Sequence, residues 1–94
     1  MRVMVCGGRD FGEFIAERDA MESALGRIVI TVLIHGDARG ADRLAANYAS
    51  QHGIPCEAFP ARWATEGRAA GALRNERMLR EGRPDLVVAF PGGV

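Results

Sequence analysis

The chain has 94 residues, a formal net charge of +0, 48% hydrophobic residues and two cysteines. That length suits one domain and not two, and the hydrophobic share argues against a disordered chain. The charge balance supplies no whole-domain field that would draw the protein to nucleic acid or to an anionic membrane.

Residues 2–6, Arg-Val-Met-Val-Cys, form a β-rich run that stops at Gly7-Gly8. A run this apolar suits a parallel strand buried on both faces. Between Glu13 and Leu25, Phe14, Arg18, Met21 and Leu25 recur at spacings of four, three and four, which predicts an amphipathic helix with Gly26 as its stop. Val29 to Ile34 holds five β-branched residues and is the strongest strand signal; it leads into His35-Gly36. After Asp37–Asp42 a second helix presents Ala41, Leu44, Ala45, Tyr48 and Ala49 on one face and closes at Gly53. Pro55 to Phe59 reads as a short third strand, and Pro60 to Ala70, with Trp63, as irregular chain. Gly71 to Glu81 predicts a third helix, stopped by Gly82 and Pro84, and Leu86 to Phe90 a last strand before Pro91-Gly92-Gly93-Val94.

Strands alternating with helices imply an α/β fold: a Rossmann-like open parallel sheet of about four strands, helices on both faces, with the first strand near the centre. The whole of 1–94 is expected to be one domain. A domain of this size buries only roughly 60–65% of its unfolded surface, so its stability margin is thin.

Three strands end in glycine: Gly7-Gly8, Gly36 and Gly92-Gly93. In a parallel sheet those ends share one edge, and ligands bind outside the carboxyl ends of such strands. Glycine there admits the backbone close to a ligand, and a following helix N-terminus adds partial positive charge, so a phosphate suits the site. The plainer reading is that glycine makes tight βα turns. Arg9, Asp37, Arg39 and Asp42 beside these glycines shift the balance to binding. All 12 basic residues are arginine, the better fork for phosphate and carboxylate. No lysine exists for a Walker A loop, and Gly7–Gly12 is not G-x-G-x-x-G.

The ordered set Cys6-Gly7-Gly8-Arg9-Asp10-Phe11, His35-Gly36-Asp37-Ala38-Arg39-Gly40-Ala41-Asp42, Arg74-Asn75 with Met78, and Ala89-Phe90-Pro91-Gly92-Gly93 resembles the YspA-like branch of the SLOG superfamily. That superfamily joins the Smf/DprA proteins and the LOG proteins on a Rossmann-like fold. The resemblance implies binding of nucleotides, nucleotide sugars or related ligands. Gly8 and Arg9 match the glycine-arginine turn after the first strand. Gly36, Ala38, Gly40 and Asp42 match a G-x-A-x-G-x-D turn after the second. Arg74 and Met78 resemble the arginine-to-methionine motif of LOG enzymes, and Pro91, Gly92 and Gly93 the start of their P-G-G-x-G-T-x-x-E motif. In those enzymes the arginine and the glutamate are associated with cleaving the base from a nucleoside monophosphate. Cleavage of that kind passes an oxocarbenium-like state that a carboxylate stabilises. The sequence carries no counterpart of that glutamate, which moves the expectation from hydrolase toward binder.

The candidate ligand-binding residues are therefore Gly7, Gly8, Arg9 and Asp10 in the first loop; Gly36, Asp37, Arg39, Gly40 and Asp42 in the second; Trp63 as a stacking or cleft-lining ring; Arg74 and Asn75 on the third helix; and Pro91, Gly92 and Gly93. Asp42 reads equally as a helix-start carboxylate or as a contact to a ribose hydroxyl. Arg74 is the candidate for catalysis in the alternative reading, a LOG-like phosphoribohydrolase. A second alternative, single-stranded DNA binding by analogy with DprA, is opposed by the neutral charge.

Cys6 and Cys56 sit in strand-like runs as small buried hydrophobes, with a spacing that matches no zinc pattern and with no disulfide framework. His35 and His52 lack metal-ligand companions, so neither a metal nor a cofactor is expected. No apolar run approaches the about 20 residues of a membrane span, and Met1–Cys6 is too short for a signal peptide, so a cytoplasmic, membrane-free protein is expected. The apolar last strand, if it lies at an exposed sheet edge, is an association hazard, which predicts a homo-oligomer.

Overall fold

The structure is a computed structural model, and it describes residues 1–92. Four strands, β1 (Arg2–Cys6), β2 (Val32–His35), β3 (Cys56–Ala58) and β4 (Leu86–Ala89), form one all-parallel sheet in the order β3-β2-β1-β4. Helices α1 (Ile15–Leu25), α2 (Ala41–Gln51) and α4 (Ala70–Gly82) connect them, with a single turn α3 (Trp63–Glu66) and a 3-10 turn at Gly67–Ala69 before α4. The expected α/β architecture is the one observed, and β1 is interior as predicted.

Alternation along β1 divides the core. Val3 and Val5 face one side with Leu33, where they pack against Met21 and Leu25 of α1 and Ala45, Tyr48 and Ala49 of α2. Met4 faces the other side with Ile34 and meets Met78 of α4. The two faces are unequal: the buried cluster on the α4 side is Met4, Ile34 and Met78, whereas ten buried residues cluster on the α1/α2 side among the described residues. At the amino-terminal edge of the sheet Arg2 moors the thin side. Its guanidinium donates to the Gly82 carbonyl at the end of α4 (2.8 and 2.6 Å) and to Glu57 of β3 (2.7 Å).

Several boundaries differ from the sequence reading. β2 begins at Val32, three residues into the β-branched run; ahead of it the Met1 amino group donates to the Val29 carbonyl (2.9 Å), and the Thr31 amide donates to the Met1 carbonyl (2.9 Å). Phe14 is not on the buried face of α1. It is 68% exposed and precedes the helix, whose start is organised by Glu17 accepting from the Phe14 and Gly12 amides (3.2 Å each). The buried aromatic there is Phe11, stacked on Phe90 at 5.0 Å. Trp63 opens the short helix α3 rather than lying in irregular chain. Cys56 is exposed on the edge strand β3, and both cysteines are free. At the opposite edge, β4 has a neighbour among the described residues only on its β1 side, and Val87 is 46% exposed. No helix among the described residues is long and apolar enough to cross a membrane.

Candidate functional site

The chain runs β1 to β2 to β3 in one direction across the sheet, with α1 and α2 on one face. It then returns beneath the other face through α4 to place β4 on the far side of β1. The order reverses between β1 and β4, so their carboxyl ends form the switch point at which open parallel sheets bind ligands. A cavity of about 700 Å³ lies there. Its floor is Met4 and Cys6 of β1 with Ala89 of β4. One wall is the Gly7–Asp10 loop, the other the inner face of α4 with Arg74, Asn75 and Met78, and Trp63 stands at the rim.

The glycines at this edge are consumed largely by contact between the loops. The Gly8 carbonyl accepts from the amides of both Phe11 (3.2 Å) and Ala41 (3.1 Å), and its own amide donates to the Pro91 carbonyl (3.2 Å). A Cβ on Gly8 would lie 2.8 Å from the Gly92 backbone, and one on Gly40, whose φ is +84°, would fall into the carbonyl of Gly8 and the backbone of Arg9. At Gly36 the space of a Cβ is filled by the guanidinium of Arg74. Close packing of three loops thus accounts for these glycines, and what the cavity offers a ligand is the backbone they expose together with the side chains around it.

Asp42 is 5% exposed. Its Oδ2 accepts from the amides of Gly36 (3.1 Å) and Ala38 (3.3 Å), so it shapes the loop after β2 while facing the cavity. Burial pushes its carboxyl above the usual range, opposed by those two amides and by the nearby Arg74. Arg74 is itself held in place: its Nε donates to Asn75 Oδ1 (2.7 Å) and its Nη1 to the Gly36 carbonyl. Asn75, expected as a ligand contact, also orients that guanidinium. Burial first, and then the Asp42 charge, raise the Cys6 thiol above its ordinary value, so it lines the cavity as a neutral group.

His35 is 4% exposed, and its Nδ1 accepts from the Asp37 amide (3.0 Å), which requires that nitrogen to be unprotonated. Asp37 sits at φ +55° on the far side of this bond. Burial lowers the His35 pKa below its ordinary 6.5, against smaller opposing effects of Asp42 and Asp37. A depressed pKa means that the neutral ring contributes stability above 6.5, and that this is lost as pH falls through the folded value. Urea midpoints are therefore expected to decline from pH 7 to pH 5. In His35→Asn, whose Oδ1 still accepts but does not titrate, that segment should flatten; equal slopes in both proteins would remove His35 as the cause.

Of the predicted residues, Gly7, Gly8, Arg9, Asp10, Asp42, Trp63, Arg74, Asn75 and Gly92 line this cavity. Gly36, Asp37 and Arg39 line an adjoining one, which shares Arg9, Trp63 and Arg74 with it. Gly40 lines neither; it faces a groove between α1 and α2. Pro91 acts through its carbonyl on Gly8, and Gly93 lies outside the described residues. Met78 and Ala38 entered the sequence reading as motif positions but not as ligand contacts, and both line the cavity. Met4, which looked like core, and Arg43, which nothing in the spacing marks, were missed. Among the described residues no group of His, Cys, Asp and Glu is placed to hold a metal ion.

Gene 61 protein of Mycobacterium phage D29 is 38% identical over 98 residues, an alignment that covers 98% of this chain and 78% of that protein. No solved structure matches. A family model described as "YspA, cpYpsA-related SLOG family" matches residues 1–65, from β1 through β3 and into α3, and so takes in both loops against which the cavity is built. Arg74 and the Pro91-Gly92 turn lie beyond the matched segment. With more than half of its length matched, the chain belongs to the YspA, cpYpsA-related SLOG family.

Proposed function

We propose that the protein binds a nucleotide or nucleotide-derived molecule in the cavity between the carboxyl ends of β1 and β4. The observation that carries this reading is the position of the cavity at the switch point of the sheet, with Arg9 and Arg74 on its walls and Trp63 at its rim. The Arg9 guanidinium and the Nη2 of Arg74 supply charged donors for phosphate, and an indole half exposed beside them supplies a face for a base. Membership of the SLOG family suggests a ligand of the same type.

Binding is favoured over glycosidic cleavage by what the carboxylates are doing. Asp10 and Asp42 are the two that line the cavity. Asp42 is committed to two backbone amides, and the Asp10 side chain is 79% exposed to solvent. Neither is a desolvated, uncommitted carboxylate of the kind that stabilises an oxocarbenium-like state.

Thermal denaturation with a panel of nucleoside mono- and diphosphates and nucleotide sugars tests the reading. A ligand at about 100 times its Kd adds about 2.7 kcal/mol, which in a domain this small moves the midpoint by roughly 10 °C or more. Arg74→Ala is expected to weaken the binding at least tenfold, the order of one lost charge-assisted hydrogen bond. A panel in which no phosphorylated compound raises the midpoint rejects the proposal.

A further inference from the structure

The cavity at the switch point is one of two chambers. The second, about 860 Å³, lies on the β2 side and shares Arg9, Ala38, Trp63 and Arg74 with the first. Counted once across the two, Arg9, Arg39, Arg43 and Arg74 stand against Asp10, Asp37 and Asp42, an excess of one positive charge. Asp10 pairs with Arg39 and Asp42 lies near Arg74, so the excess falls on the second chamber, at Arg43.

The partners of these arginines leave them open to an anion. Arg39 is paired with Asp10 at 3.4 Å, with 69% and 79% of the two side chains exposed; a pair so solvated is worth little and is readily exchanged. Among the described residues Arg43 makes no ion pair. The Arg9 guanidinium stands 5.9 Å from the centroid of the Trp63 ring, bridging the loop after β1 to α3 where the two chambers meet. A base held beside Trp63 would then have Arg9 and Arg74 at the junction of the chambers and Arg39 and Arg43 on the far side of the second.

We infer that the second chamber is a distinct anion subsite, and that the ligand is a nucleotide carrying a second phosphate separate from the first. This rests on the nucleotide-binding reading above and narrows it. Two chemistries supply such a group: the terminal phosphate of a nucleoside 3′,5′-bisphosphate, and the internucleotide phosphate of a 5′-phosphorylated dinucleotide. A mononucleotide with one phosphate fills only the first chamber.

Calorimetry on the full chain compares a nucleoside 5′-monophosphate, the 3′,5′-bisphosphate of the same nucleoside and the 5′-phosphorylated dinucleotide. At least one of the latter two is expected to bind tenfold or more tightly than the monophosphate, and which one does identifies the source of the second phosphate. That ratio is expected to shrink with added salt. It should fall toward one in Arg43→Ala and below one in Arg43→Glu; Arg43 is exposed, so neither change threatens the fold. Equal affinity for all three compounds, or a ratio unchanged in both Arg43 variants, overturns the inference while leaving the nucleotide reading standing. No binding by any of them overturns both.

Discussion

Replacing Gly40 with alanine is expected to cost about 3 kcal/mol of folding free energy, the largest effect of any single methyl group added to this protein. Gly40 has φ +84° and ψ −128°, a region open to glycine alone, where another residue costs on the order of 1–3 kcal/mol. The added Cβ also meets the carbonyl of Gly8 and the backbone of Arg9, atoms that move only if the loop moves, and overpacking of that kind costs a further ~1–3 kcal/mol. Gly53 is the matched control. Its φ is +67°, and nothing lies within 4 Å of the position its Cβ would take. Gly53→Ala should lose only the conformational share, about 1 kcal/mol. Urea denaturation of the two variants separates the contributions; similar losses in both would show that contact with Gly8 does not matter. Because Gly40 holds the loop that carries Arg9, the alanine variant should also bind any ligand of the cavity poorly.

The second large effect is expected at Asp42. Asp42→Ala leaves the Gly36 and Ala38 amides without their acceptor, at about 1–3 kcal/mol for each unpaired buried donor. Relief of the buried charge offsets part of this, and a net loss of about 2 kcal/mol is expected. Asp42→Asn keeps an oxygen for both amides and should lose less than half as much. The two forms also differ in pH dependence. The folded protein raises the Asp42 pKa above its ordinary 3.8. The protonated form is thus favoured by folding, and the stability it contributes is full below 3.8 and lost as pH rises through the folded value. Wild type should therefore lose ground to Asp42→Asn as pH rises from 3.5 to 6. A constant difference between the two across that range would contradict the buried, ionisable Asp42 described above.

The sheet was legible because burial on both faces leaves a mark that survives without context: Val3-Met4-Val5 and Leu33-Ile34 are apolar because each neighbour points to a different core. The switch point followed from the alternation of strands and helices. What local pattern failed to show was set by contacts distant in sequence. Val29 and Thr31 have the residue types of a strand, but Met1 takes their hydrogen bonds. Phe14 has helical spacing to Met21, yet Glu17 places the helix start after it. At the site, Arg9, Arg74 and Trp63 could be named from the sequence because of their types and neighbours. Met4 could not, since one face of it serves the core and the other the cavity. The glycines were located correctly, but their service to one another, with Gly8 fitted against both Gly40 and Gly92, depends on three loops separated by more than thirty residues.

That junction at Gly8 has a consequence for how tightly the cavity can hold what enters it. One carbonyl accepts from the start of α2 and from Phe11, while the adjoining amide reaches Pro91, so the ends of β1, β2 and β4 are fastened at one residue before any ligand arrives. The rim on that side is thus fixed by its own hydrogen bonds, and an association there would have little backbone entropy left to lose. Ordering the exposed arginine side chains would cost about 0.5–1.5 kcal/mol each, and differences in affinity among related ligands should appear chiefly in how fast they leave.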